Sequence, residues 1–596
     1  MKSLMSLCQH VLSELGGWCH VSTTRDWETI SRRVEHEGLS FLTIALPQFC
    51  KDLDNALALQ RVSSDHFIGF ARSGGLPRFL GGFLRTVFDA RSGVLLDDYC
   101  EDSVYAMRQI TSLFAKIEIP CSPHRVKLAM KKFVEVDQEV GAQDIPSDFQ
   151  DRMAMLLVRL FRDSIYELDR RCEKLELVPK HGPGATADRL RGNQKWCQKE
   201  WPSRSERSFP SDVYLSPNYR YAEEVLRQVT FLEPGSERPV KVTPVPKTLK
   251  TPRLIAIEPT CMQYMQQALL SAFVEVTEAD PRLRDFLGLT DQVVNQKLAL
   301  EGSISGNYST IDLSEASDRV SNDLVKRVFR RVPHLCDALQ DSRSTRAHVP
   351  GHGVIPLSKF ASMGSATCFP VEATIFLLAV LAGYEVDLGR PLSQSEIDSL
   401  RGQVRVFGDD IIVPKHMTDS ALWALRLIGA VPNPRKTFTV GNFRESCGKE
   451  YFFGLDVTTV KVRDLFPRSR ADAKQMASLV SLRNQLYWRG LWQTTSWLDK
   501  VIKGFIPFPI VESTSPALAR SSALPARGER DCSFLHRPLV RAARCVGRIP
   551  PSVLDGVGAL LKCLASPGVS SVDARHLSQS GRPLSVNIKI GWTPIR

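Results

Sequence analysis

Apolar residues recur three and four positions apart in MKKFVEVDQEV (Met130–Val140) and in DRMAMLLVRLFRDSIYELDRRCEKL (Asp151–Leu175). That spacing stacks them on one helical face and predicts a mainly helical region over residues 1–175. Between Pro179 and Pro252 the pattern breaks. PKHGPGATADRLRGNQKW and PVKVTPVPKTLKTPR are basic and rich in Pro and Gly, which interrupts long helices and favours extended loops. From about 250 to 460, short β-rich runs alternate with helical ones, and no internal repeat is present, which excludes a solenoid. Three regions follow: 1–175, 176–460 with a core at about 297–441, and 461–596.

Two β-rich runs carry carboxylates. VRVFGDDIIVP (Val404–Pro414) reads as two short strands around Gly408-Asp409-Asp410, a hairpin with adjacent aspartates at its tip. Tyr308–Leu313 reads as a strand ending at Asp312, followed by a helix whose Val320, Leu324, Val325 and Val328 share a face. SALWALRLIGA predicts a helix capped by Ser420. Phe369–Ala382 predicts a buried helix in which Phe376, Leu377, Leu378 and Val380 are packing residues.

Composition narrows the class. A chain of 596 residues is too long for one core, so two to four subdomains are expected. The net charge of +12 suits a polyanionic partner, and +7 of it lies in residues 511–596, where 12 Lys and Arg face 5 Asp and Glu. That Ser/Pro/Ala/Arg-rich segment is expected to be loosely packed, with a basic arm on nucleic acid as the alternative. None of the 14 cysteines forms a C-x-x-C pair, so zinc-ribbon spacing is absent and reduced thiols are expected. The N-terminus has no secretory pattern, and the longest apolar run, Ala373–Gly383, is about half of a membrane span. A soluble protein with no membrane partner is expected.

Asp312 and Asp409 are 97 positions apart, so only tertiary folding can unite them. Three converging carboxylates repel one another unless hard cations hold them, and that need suits Mg²⁺, two ions of which can clamp an in-line nucleotidyl transfer. A triphosphate also needs cations. VKVTPVPKTLKTPRLIAIEP supplies Lys241, Lys247, Lys250 and Arg253, stiffened by Pro244, Pro246 and Pro252; a solvated basic loop is the plainer reading. Arg253 can fork onto phosphate oxygens. Lys436 could protonate departing pyrophosphate, with a structural salt bridge as its competing role. His181 reads as a hydrogen-bonded loop histidine without chemistry.

The segments HGPGATAD (181–188), PKTLKTPRLIAIEPT (246–260), STIDLSEASDRVS (309–321), KFASMGSATCFPVEATIF (359–376), VRVFGDDIIVP and NPRKTFTVGNFRESCGKEYFFG (433–454) together resemble the RNA-dependent RNA polymerases of single-stranded RNA bacteriophages, the levivirus replicase β subunits. The resemblance implies an α+β right-hand polymerase: fingers, a palm built on a split βαβ-type antiparallel sheet, and a thumb, with fingers and palm over 176–460 and the thumb in 461–596. It implies Asp312, Asp409 and Asp410 as ligands of two Mg²⁺ ions, with Mn²⁺ as a substitute. Lys436 matches the lysine after the palm helix, Lys247, Lys250 and Arg253 the basic fingers strand, and Asp318 the aspartate that senses the ribose 2′-hydroxyl. Ser365 and Cys368 stand where better-known members carry Asn and Thr. The family further implies NTPs, a single-stranded RNA template and nascent RNA, initiation without a primer, host translation elongation factors as subunits, and the cytoplasm of an infected bacterium. A reverse transcriptase shares the palm but normally differs before its aspartates, at Gly408 here. A non-enzymatic RNA-binding protein is the remaining alternative.

Overall fold

The computed structural model describes residues 1–550, 552, 555–565 and 583–596. Its centre is a four-stranded antiparallel sheet made of β3 (Tyr308–Ser314), β4 (Arg405–Phe407), β5 (Asp410–Pro414) and β6 (Val431–Pro432), in the spatial order β4-β5-β3-β6. Before it in the chain come helices α1 (Leu46–Ala58), α2 (Glu101–Ser112) and α3 (Pro123–Gly141) and a hairpin of β1 (Val240–Val245) and β2 (Arg253–Ile257). Helices α4 (Asn322–Phe329) and α5 (Cys368–Asp387) lie between β3 and β4, and α6 (Thr418–Leu427) between β5 and β6. Strand, helices, hairpin, helix and strand in that order make a split βαβ arrangement.

The sheet forms where the sequence has short apolar runs. In β3 and β5 the apolar residues Ile311, Leu313, Ile411 and Val413 are buried in the main core. That core continues through Leu324, Val325 and Val328 of α4 and through α5, in which Phe376, Leu377, Leu378 and Val380 are all buried. Helix α5 is the one described helix long and apolar enough to cross a membrane. At 20 residues it exceeds the apolar run seen in the sequence, and it is enclosed by protein.

A second large core joins chain-distant regions. Leu53 and Leu57 of α1 and Met107 and Ile110 of α2 pack with Phe443 and Phe452, which belong to β7 (Phe443–Ser446) and β8 (Lys449–Phe452), and with Leu479 and Leu486. Arg108 of α2 ties this junction: only 1% exposed, it bonds Asp54 at 2.7 Å and Glu450 at 3.0 Å. The N-terminal helices are therefore one wall of the region that carries the sheet.

Three local expectations change. Helix α6 begins two residues before Ser420, whose hydroxyl donates to the Met417 carbonyl (3.0 Å) from within the first turn. His181 stacks on Tyr264, ring centroids 4.6 Å apart, and burial pushes its pKa down to about 3, so it serves as a neutral packing residue. The tail is packed in part: residues 538–548 pair with 585–594, and Val511, Ala519, Val540, Ala542 and Ile595 form a small core, while Leu524, Phe534 and Leu535 remain exposed. For residues 551, 553, 554 and 566–582 the same expectation lies outside the described residues.

Candidate active site

The β4–β5 hairpin closes on Gly408-Asp409, with Phe407 opposite Asp410. Gly408 has φ of +61°, and a Cβ there would lie 2.5 Å from the Phe369 ring, so glycine is required both by backbone and by space. On the other edge of β5, Asp410 is the direct cross-strand partner of Asp312 on β3. Opposed residues on antiparallel strands have Cβ atoms about 5 Å apart. The sheet register thus brings together carboxylates separated by 98 positions, counted as 410 minus 312.

Their charges remain in conflict. Burial first, then Asp409, Asp312 and Glu445, push the Asp410 carboxyl up to about 7. Asp312 is better compensated: its Oδ1 accepts from Lys436 Nζ at 3.1 Å and its Oδ2 from Asn433 Nδ2 at 3.1 Å. Lys436 also donates to Glu445 Oε1 on β7 at 3.2 Å. Burial opposes its charge, but Glu445 and Asp312 outweigh it and raise its pKa. Among the described residues, no group of three or more His, Cys, Asp or Glu is closed enough to hold a metal ion. The donors nevertheless fit a hard cation in kind: they are carboxylate oxygens, and Asp410, raised by burial and then by Asp409 and Asp312, carries a cost of ionisation that a cation would relieve.

A cationic wall faces them. Lys247 and Lys250 lie in the 246–252 loop and Arg253 opens β2, so the basic strand of the resemblance is a loop and a strand end. Partial burial, Arg253 and Lys436 lower the Lys247 pKa, while Asp312 and Asp409 pull it up, so Lys247 senses the aspartates. The loop is gripped from the N-terminal region, where Arg125 donates to the Leu249 carbonyl and Cys121 Sγ to the Thr248 carbonyl at 2.9 Å.

Asp318 and Ser365 are not joined by a hydrogen bond. The carboxylate of Asp318 accepts from Lys359 Nζ at 3.0 Å, and the Ser365 hydroxyl is within 3.1 Å of that of Thr367.

Four further residues belong to this neighbourhood. Lys51 on α1 is depressed by burial and then by Lys250, Lys436 and Arg435, which puts it among the cations. Glu372 of α5 lies buried behind the hairpin tip, its pKa raised by burial, Asp409 and Asp318. Glu445 holds Lys436, and Lys359 holds Asp318. Glu445 and Lys359 fall inside segments whose pattern marked them; Lys51 had no local signal, because its role comes from how α1 packs on β7.

Residues 218–498 match a family described as RNA replicase, beta-chain. The RNA-directed RNA polymerase subunit beta of Escherichia virus Qbeta is 34% identical over 257 residues, covering 42% of this chain and 39% of that protein. The corresponding subunit of Enterobacteria phage SP is 32% identical over 320 residues, 52% of this chain and 50% of that protein. The RNA-directed RNA polymerase beta chain of Escherichia phage MS2 is 36% identical over 214 residues, 36% of each. The matches span half or less of each relative's length. A solved structure titled RNA dependent RNA polymerase, vp4, dsRNA aligns over 69% of this chain and 37% of that one, with 10% identity and a TM-score of 0.41. The segment bearing Asp312, Asp318, Asp409, Asp410 and Lys436 is thus recognised as similar to the replicase β chains of single-stranded RNA phages.

Proposed function

We propose that this chain is an RNA-directed RNA polymerase that copies a positive-strand RNA phage genome from NTPs in the cytoplasm of an infected bacterium. In this reading the β4-β5-β3-β6 sheet is the palm, the β1–β2 hairpin and its loop belong to the fingers, and the helices after residue 460 to the thumb. The observation that carries it is the cross-strand pairing of Asp312 with Asp410 beside Asp409, with Asp410 pushed to about 7.

Asp312, Asp409 and Asp410 would hold two Mg²⁺ ions, or Mn²⁺ in their place, which when bound supply charge neutralisation at the 3′-hydroxyl and at the pyrophosphate. The remaining work falls to side chains. Lys247, Lys250 and Arg253 would meet the triphosphate, Arg253 through a guanidinium fork. Lys436 keeps its proton through the neutral range because two carboxylates hold it. To act as general acid toward pyrophosphate it must leave at least one of them. Asp318 and Ser365 would face the ribose, and the shorter reach of serine leaves most of that recognition to Asp318.

The test is Asp409→Asn, assayed for Mg²⁺-dependent RNA synthesis and for RNA binding. Synthesis should vanish while binding persists. Retained synthesis would remove the two-ion role, and RNA binding without any synthesis by the unsubstituted chain would favour a non-enzymatic RNA-binding protein. Primer independence and host elongation factors as subunits are tested together by supplying the purified chain with template and NTPs, with and without bacterial extract. Synthesis only with extract is the expected result.

A further inference from the structure

Lys359 is a fully buried cation beside the site, with a side chain 0% exposed. An ammonium enclosed to this degree is costly unless it is paired. Its neighbours explain how it persists: Asp318 Oδ1 at 3.0 Å, Asp137 Oδ1 at 4.0 Å, and the face of the Phe133 ring at 3.5 Å. The last two come from α3, outside the segment that matches the replicase family.

The backbone around Lys359 grips the same place. Ser321 and Lys359 form an antiparallel bridge, the Phe360 amide donates to the Val320 carbonyl at 2.8 Å, and the Asn322 amide donates to the Ser358 carbonyl at 3.0 Å. Asp137 in turn accepts from the amides of Ser358 (3.1 Å) and Lys359 (3.2 Å). Helix α3 also reaches the turn that carries Asp318 from outside, through Glu139 to Arg319 at 3.0 Å and Lys132 to Glu315. Asp318 therefore sits on a turn clamped on both sides, with one carboxylate oxygen held by a buried charge. Its side chain is 20% exposed, and among the described residues no side-chain hydrogen bond is made to the other oxygen.

We propose that Lys359 is a positioning residue for ribose selection: it fixes one oxygen of Asp318 so that the other is aimed to accept a hydrogen bond from the 2′-hydroxyl of the incoming nucleotide. This rests on the reading of Asp318 as the ribose-facing residue. A terminal carboxylate torsion is broad when free. Locking it through a charge-assisted bond gives the 2′-hydroxyl a fixed acceptor, and loss of such an acceptor is felt by the ribonucleotide alone.

The experiment measures kcat/KM for ATP and for 2′-deoxy-ATP in single-nucleotide incorporation by the full chain on an RNA template, in extract if the chain requires it. It compares the unsubstituted protein with Lys359→Met, Lys359→Gln, Lys359→Arg, Asp318→Asn and the Lys359→Met/Asp318→Asn double variant. Lys359→Met should lower the ribose-to-deoxyribose ratio by about tenfold, entirely through ATP. Lys359→Arg should retain more of the ratio than Lys359→Met does. The double variant should match Asp318→Asn, because Lys359 acts through that carboxylate. An unchanged ratio in Lys359→Met, with a lowered one in Asp318→Asn, would leave Asp318 its role and overturn that of Lys359. Equal losses for both nucleotides in Lys359→Met would also overturn it, as would failure of both neutral variants to fold, since each outcome makes Lys359 a fold residue. An unchanged ratio in Asp318→Asn would remove the underlying reading of the ribose site.

Discussion

Asp410→Asn should stabilise the ion-free chain at alkaline pH, although it removes a residue of the catalytic sheet. In the folded protein the Asp410 carboxyl is raised from an ordinary 3.8 to about 7, by burial first and then by Asp409, Asp312 and Glu445. The unfolded chain releases this proton near pH 4. Between about pH 4 and 7 the folded state therefore binds more protons, and its stability falls as pH rises. The favourable contribution is complete below about pH 4 and gone above about pH 7. At 1.36 kcal/mol per pH unit, the whole difference is bounded by about 4 kcal/mol. Solvent screening and the nearby Lys436 reduce this to about 1–2 kcal/mol. Asparagine keeps the shape and removes the charge. In EDTA at pH 8, thermal unfolding of Asp410→Asn should lie about 1–4 °C above that of the unsubstituted chain, and the difference should close toward pH 4. Adding Mg²⁺ should raise the unsubstituted chain toward the variant, because an ion that binds only the folded state stabilises it by mass action. A variant that melts lower in EDTA at pH 8, or an unsubstituted chain indifferent to both pH and Mg²⁺, would refute the claim that the site stores carboxylate repulsion.

Arg108→Met should destabilise the chain by about 3–5 kcal/mol, because it strands Asp54 and Glu450 in the interior; chemical denaturation of the soluble fraction measures this. Lys51→Met should raise KM for NTPs about fivefold, the equivalent of roughly 1 kcal/mol, with kcat little changed; a pure kcat effect would place Lys51 outside the phosphate side. Gly408→Ala should cost about 1–3 kcal/mol in the strained turn and displace the hairpin tip against Phe369, with RNA synthesis falling more than stability. Synthesis at the unsubstituted rate would show that the tip tolerates a shift.

The parts of this molecule that were legible in its sequence are those decided by neighbours along the chain. Short apolar runs on either side of Gly408-Asp409-Asp410 give a two-residue hairpin, since glycine supplies the positive φ that the turn needs. The strand through Asp312 and the apolar face of α4 follow from periodicities of two and 3.6. Register across strands is different in kind. That Asp312 faces Asp410 directly, and not a neighbour one residue along, is set by packing of Ile311 and Ile411 in a core drawn from residues 145 to 561. Ser420 was misplaced because Thr418 and Asp419 extend the helix by half a turn, and helix ends are weakly specified by single residues. The tail's Ser, Pro and Arg content resembles an unstructured segment, yet residues 538–548 pair with 585–594, and Val540, Ala542 and Ile595 are buried with Val511 and Ala519. Lys51, Phe133 and Asp137 carry no local mark at all. They reach the site because the N-terminal helices share cores and ion pairs with β7 and with the turn at 315–319.

The two charge conflicts at the site point to one ligand set. On the acidic side, burial and then Asp409, Asp312 and Glu445 raise the Asp410 pKa against the pull of Lys436, which with Asn433 hydrogen-bonds to Asp312. On the basic side, Lys250, Arg435 and Lys436 depress Lys51, while Arg253 and Lys436 depress Lys247. Aspartates and lysines this close would cancel if the fold served stability alone, as Arg108 and its two carboxylates do one layer away. Instead, among the described residues, Lys436 is the one cation in an ion pair with these three aspartates. A cation by itself would relieve the first wall and aggravate the second; a polyphosphate by itself would do the reverse. The proposed pair, a nucleoside triphosphate with divalent ions, would satisfy both walls at once, so the chain is expected to bind NTPs weakly in EDTA and tightly in Mg²⁺, and equal affinity in the two buffers would contradict this assignment of the site.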